Sequence, residues 1–212
     1  VWSTRHENVE VLSETEGHVT RTWWKTPVGE IWSETRFLPQ TASSAPTRWP
    51  VSTVEDLRVV RYIADSTQVT PNYEQYELLN RLAGDQGHPT VLPPRSPVSQ
   101  MLAQWTGATN LAYLTVDAPE ELERTLEALG RAADGVYEAI VGCDTPFVEL
   151  GDNLSGEVAT RLVEQYQFDY YVRRVEQLHA AGKKVGVHLD GTVRPILPLL
   201  VKTGIDFVEA IT

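Results

Sequence analysis

Residues 9–11, 18–24 and 30–37 are rich in β-branched and aromatic side chains, with partial polar–apolar alternation. Glu16-Gly17 and Thr26-Pro27-Val28-Gly29 lie between them and are turn signals, so this part predicts an antiparallel meander. Residues 39–50 are Ser-, Thr-, Pro- and Ala-rich and predict a connector with no element of its own. Ser52-Thr53-Val54-Glu55 has the spacing of a capping box and predicts a short helix over 56–65.

From residue 71 onward the pattern changes to helices alternating with short apolar strands. Pro71 suits a first helical turn, and a helix over 72–82 follows, stopped by Gly84. Residues 90–92 predict a strand and 98–106 a helix. Residues 118–140 predict one strong helix with Glu120 and Glu121 in its first turn. Strands are expected over 145–150, 184–189 and 205–211, with helices over 156–181 and 193–202 between them. Apolar strands alternating with helices predict a parallel sheet covered by helices. Both a (β/α) barrel and an open doubly wound sheet satisfy that pattern.

Charge and cysteine content narrow the function classes. With 212 residues and a net charge of −11, the chain has no basic face with which to follow a phosphate backbone, so a nucleic-acid partner is not expected. The single Cys143 rules out an internal disulfide framework and a Cys-only zinc cluster, and is read as a buried small residue. No apolar run approaches the ~18 residues of a membrane helix. Residues 1–20 lack a basic-then-apolar leader, so a cytoplasmic location is expected. The chain opens on Val and ends on an apolar strand pattern with no following helix, so both ends are expected to be missing something. Neither a Gly-rich phosphate loop nor a serine nucleophile elbow occurs.

In either parallel architecture the chemistry lies at the carboxyl ends of the strands. In Val187-His188-Leu189-Asp190-Gly191, alternation turns His188 and Asp190 the same way. Such a pair can hold one metal ion or act as an acid–base couple, or His188 can simply be satisfied by an Asp190 that caps the next helix. Glu149 and Asp152 crowd a second strand end, where Asp152 or Asn153 also suits a helix cap. Glu209 is an acid inside the apolar 205–211 strand, and a carboxylate there needs a facing partner. Arg95, in Pro93-Pro94-Arg95-Ser96-Pro97, is placed to clamp a carboxylate or phosphate or to remain a solvated loop arginine. Trp23, Trp24 and Trp32 mark the meander as core or interface, and a homodimer built on it is expected.

Gly151-Asp152-Asn153-Leu154-Ser155-Gly156-Glu157, then the helix carrying Tyr166 to Val172, then Gly182 to Gly191 with its His188-x-Asp190, follow one another in an order that resembles the uroporphyrinogen decarboxylase superfamily, in its corrinoid (cobalamin) methyltransferase-like branch. The Thr26-Pro27-Val28-Gly29 turn and Arg95-Ser96-Pro97 before a helix are similar to that family too. The resemblance implies a (β/α)8 TIM barrel of which this chain is an incomplete central portion, with residues 1–50 as the meander and connector and 51–212 as the barrel portion. It implies zinc or another divalent metal on His188 and Asp190, where the branch has His-x-Cys. Glu209, Glu149 and Asp152 would complete the shell or act as base. It further implies methyl transfer from a small-molecule substrate with a corrinoid carried by a partner protein. Uroporphyrinogen decarboxylation, with Arg95 and an acid handling substrate carboxylates and protonation, is the alternative activity within the family. A catalytically silent barrel or interaction module is the alternative outside enzymology.

Overall fold

In the computed structural model, which describes residues 1–156 and 160–210, the meander has four strands where three were expected. After β1 (Trp2–His6) come β2 (Glu10–Glu16), β3 (Val19–Thr26), β4 (Gly29–Leu38) and β5 (Ser43–Arg48). The last four are antiparallel neighbours in that order. β5 falls in the segment expected to be a bare connector. It accepts Pro46 because it is an edge strand, where one side of the backbone needs no donor. A register shift between Glu34 and Thr35 accommodates Thr47, whose hydroxyl reaches Glu34 Oε1 at 2.8 Å.

Helix α1 (Leu57–Asp65) buries Leu57, Val59, Val60, Ile63 and Ala64. The expected capping box is not formed. Instead the Asp56 carboxylate accepts the backbone N–H groups of Ser52 and Thr53 at 2.8 and 2.9 Å, tying the turn from the other direction. Strand β6 (Thr67–Pro71) follows and pairs with β1 in a separate two-stranded sheet. Next come α2 (Glu74–Ala83), the short α3 (Pro97–Gln100) with a π-helical turn over Met101–Trp105, and α4 (Gly107–Asp117). The 118–140 helix is broken at Ala133 into α5 (Pro119–Ala132) and α6 (Asp134–Val141).

The second half alternates as the apolar pattern requires. β7 (Phe147–Leu154), α7 (Thr160–Leu162), a π-helical turn over Val163–Gln167, α8 (Phe168–Ala180), β8 (Lys184–Leu189), α9 (Leu197–Lys202) and β9 (Phe207–Glu209) complete the chain. β7, β8 and β9 form a parallel sheet in that order, and Val91 adds a parallel bridge to Val148 on the far side of β7. Thus the expected 90–92 strand is present as a single bridge. Residues 157–159 of the expected long helix and Ile211 of the expected last strand lie outside the described residues.

Two compact units emerge. One comprises residues 1–5, 68–98 and 132–212; the other comprises 6–67 and 99–131. These units do not follow a boundary at residue 50, because the meander packs with helices from further along the chain. In that unit Ile31 is only 2% exposed, Trp24 meets Trp105 edge-on, and Arg61 on α1 pairs with Glu121 on α5 at 2.9 Å. In the other, Val148, Leu150, Val185, Val187 and Leu189 on one face of the parallel sheet bury against Tyr171, Val175 and Leu178 of α8 and Ile140 of α6. Burying side chains of this size contributes about 1.5–3 kcal/mol each against the entropy of ordering the chain. The strands of the described residues make sheets of two, four and three strands, and no barrel closes among them. The architecture shown is mixed α/β with a helix-backed parallel sheet, the coarser part of the expected incomplete (β/α)8 barrel.

Candidate metal centre

Period-two alternation sends Val148 and Leu150 toward the helices and Glu149 to the opposite face of β7. On β8, Val187 and Leu189 face the helices, so His188 shares the face of Glu149. β9 pairs in a register that sets Glu209 directly beside His188. Three adjacent strands therefore deliver two carboxylates and an imidazole to one place, His188 and Glu209 from the carboxyl ends of β8 and β9 and Glu149 from within β7. One ligand atom from each of Glu149, His188 and Glu209 lies within 4.8 Å of the others. His188 Nδ1 hydrogen-bonds the Glu209 carboxylate and is 3.8 Å from Glu149 Oε1.

The two glutamates titrate apart. Burial pushes the Glu149 carboxyl up, and the hydrogen bond and negative charge of Glu209 push it further, with His188 opposing. The Glu209 carboxyl is held down by its hydrogen bonds to His188 and to Glu149. The arrangement is one in which a proton or a cation between two acids relieves their repulsion. A nitrogen and two carboxylate oxygens at this spacing form an N/O donor set suited to a divalent cation. Cys143, buried before the start of β7, supplies no thiolate here.

Asp190, expected as a second ligand beside His188, is not among the three residues whose ligand atoms converge. Asp190 faces the other ring nitrogen, with 4.0 Å between Nε2 and Oδ2, and its carboxylate accepts a hydrogen bond from Asn153. It is the residue after the last one of β8, with its N–H bonded to the Leu154 carbonyl, and the chain turns next at Gly191, at φ +63°.

Comparison with known proteins assigns the chain to a family. The model of the uroporphyrinogen decarboxylase (URO-D) family matches residues 43–210. The chain belongs to that family. A methyltransferase from Methanosarcina mazei has a similar fold, with a TM-score of 0.53 at 12% identity, over 83% of this chain and 52% of the other. The chain thus spans about half the length of that solved structure. No curated protein matches it.

Within this URO-D family chain, Asp152 belongs to a different site from Glu149. Between the Leu150–Val187 and Leu154–Leu189 pairs, β7 carries two more residues than β8, and Asn153 takes φ +52°. Alternation runs unbroken through this bulge and keeps Asp152 on the helix side, 4% exposed. There it accepts the Ser96 N–H at 2.8 Å, the Gln167 amide at 2.9 Å and the Tyr171 hydroxyl. Burial pushes its carboxyl up, against the hydrogen bonds of Ser96 and Tyr171 and the charge of Arg95. The expectation that Asp152 completes the shell around His188, or caps a helix, is therefore corrected: it anchors the 92–97 loop. Arg95 sits half-buried in that loop. Gln167 and Tyr171 were missed by sequence reasoning. Their i, i+4 spacing on one helix face was the available signal.

Proposed function

We propose that this chain carries the ion-holding part of a URO-D-type barrel enzyme that transfers a methyl group from a small methylated compound, with the methyl group carried by a corrinoid on a partner protein. The observation that carries the reading is the convergence of Glu149, His188 and Glu209 from three adjacent parallel strands. The fold shared with a methyltransferase supports the choice of chemistry. His188 Nδ1 and one oxygen each of Glu149 and Glu209 would hold a divalent cation. When bound, such an ion supplies Lewis acidity that lowers the pKa of an acceptor group beside it. Asp190 Oδ2 lies 4.0 Å from His188 Nε2, too far for a hydrogen bond, so its carboxylate acts on the imidazole through its charge.

One observation favours a second reading, porphyrinogen decarboxylation. Glu149 retains its proton to higher pH than an ordinary glutamate, and a proton-bearing carboxyl is what protonating a carbanion requires. Elemental analysis and titration calorimetry with zinc and manganese separate the two. The metal reading expects close to one equivalent bound, falling below about a tenth in His188→Ala and in Glu149→Gln. Less than that tenth in the unaltered protein overturns it, and product formed from a porphyrinogen without added metal then establishes the decarboxylase. Loss of both activities leaves an interaction module.

A further inference from the structure

At the amino ends of β7 and β8, away from His188 and Glu209, lies a cleft of about 570 Å3. It is lined by the loop 142–146 that follows α6 and by the turn 181–183 that follows α8. Asn80 of α2 and His88 complete its wall, and all of these residues belong to one compact unit. The loop is fastened through four consecutive carbonyls. The Tyr76 hydroxyl donates to the Asp144 carbonyl at 3.1 Å, and the Lys184 N–H donates to that of Pro146 at 2.8 Å. The Lys183 ammonium donates to the carbonyls of Cys143 and Thr145 at 2.6 and 3.0 Å.

Lys183 is only 5% exposed, which is rare for a lysine. An ammonium carries three N–H donors and no acceptor. Two of these donors go to carbonyls of the loop, and tetrahedral nitrogen sends the third away from both, toward the cleft that Lys183 lines. Among the described residues, no ion pair includes Lys183 or Asp144. The Asp144 side chain is exposed in the same cleft. Helices α6 and α8 both end there, at Val141 and Ala180, and helix C-termini carry partial negative charge. The floor of the cleft is therefore positive and its rim negative. A plain anion is drawn to Lys183 and repelled by the rim, and a plain cation meets the reverse. A molecule with both charges satisfies both.

We propose that this cleft binds a small zwitterion of the α-amino acid type. Its carboxylate accepts the third N–H of Lys183, and its ammonium lies against Asp144 and the ends of α6 and α8. Asn80 and His88 offer further hydrogen bonds from the wall. The volume falls within the range of ordinary small-molecule sites, about 300–1,000 Å3. A lysine suits the floor because its charge is a compact point, free to meet one carboxylate oxygen while holding two carbonyls. Lys183 stands five residues before His188 along β8, about 16 Å away. The site shares no residue with the candidate metal centre, so it stands or falls separately from the proposed activity.

Titration calorimetry with each common L-amino acid in turn, and with propionate and propylamine, tests it. At least one amino acid is expected to bind at a single site per chain with a Kd below about 1 mM. Propionate and propylamine carry one charge each and are expected to bind at least about tenfold more weakly. Lys183→Met removes the third donor and is expected to weaken binding about tenfold or more. That substitution also releases two carbonyls of the loop, so a second variant is needed. Asp144→Asn, at an exposed side chain, keeps the backbone bonds of the loop. It is expected to weaken binding about threefold or more while the unfolding transition stays in place. No binding by any amino acid, propionate or propylamine bound as tightly as the best amino acid, or binding that Asp144→Asn leaves unchanged overturns the proposal.

Discussion

Asp206 shows how much one side chain fixes at the start of β9. Burial works against its ionised form, yet hydrogen bonds from Lys184 Nζ, the Val185 N–H and His179 outweigh burial and lower its pKa to about 2. It thereby ties α8, β8 and β9 together. The folded pKa lies below the ordinary 3.8, so the ionised form stabilises the fold. That contribution is complete above about pH 4 and disappears as the pH falls to about 2. Asp206→Asn is expected to lose about 1–2 kcal/mol at pH 7, since the group is partly screened by solvent. Urea unfolding should show the difference from the unaltered chain closing across that acid window. At this scale the candidate site was largely readable: His188, Glu149 and Glu209 are chemistry-bearing residues in apolar strands. Asp152 was misassigned although parity alone separates it from Glu149, three residues away and therefore on the other face. Asp190 stays beside His188, on the Nε2 side of the ring, and period-two alternation does not say which ring nitrogen a neighbour faces.

Elements were readable where pattern and backbone agree. Lys184–Leu189 has uniform apolar alternation and a glycine before it, and the strand falls where expected. β5 was hidden because Pro46 breaks a strand pattern everywhere except at an edge, and edges are not visible in one sequence. α4 was hidden because Thr106-Gly107 looks like a stop. Instead Gly107, at φ +69°, starts the helix with the Trp49 indole packed where a Cβ would stand. The short β9 has a similar requirement. The Phe207 ring lies across Gly186 of β8, and a Cβ there would come within 2.1 Å of it. Gly186→Ala is expected to displace the ring and cost about 1–3 kcal/mol. In a Phe207→Ala background the same substitution should cost little or even stabilise, because the obstacle is gone and the unfolded chain is stiffer. A double-mutant cycle by chemical denaturation measures this coupling, and additive costs would show that the ring is not what excludes a side chain.

For the whole molecule, family membership was readable from the order of short motifs, and whether the parallel sheet belongs to a barrel was not. Closure is a property of how strands from distant parts of a chain meet, and local periodicity is the same in a barrel and in an open sheet. The division into two compact units follows from the same limit, since the meander shares its unit with α1, α4 and α5, which come from sequence on both sides of α2. The candidate metal centre lies wholly within the unit that holds β7, β8 and β9. A ligand that binds only the folded form stabilises it in proportion to the logarithm of its concentration over Kd, about 2.7 kcal/mol at a hundredfold excess. The metal reading therefore makes a regional prediction. Saturating zinc or manganese should slow amide hydrogen exchange in Phe147–Leu154, Lys184–Leu189 and Phe207–Glu209, the strands that supply the three ligands. Exchange in Val19–Thr26 and Gly29–Leu38 should not change. His188→Ala should abolish the effect, because it removes the only nitrogen donor of the set. Slowed exchange spread evenly over both units, or slowing that survives His188→Ala, would place the ion elsewhere and remove the basis for the proposed methyl transfer.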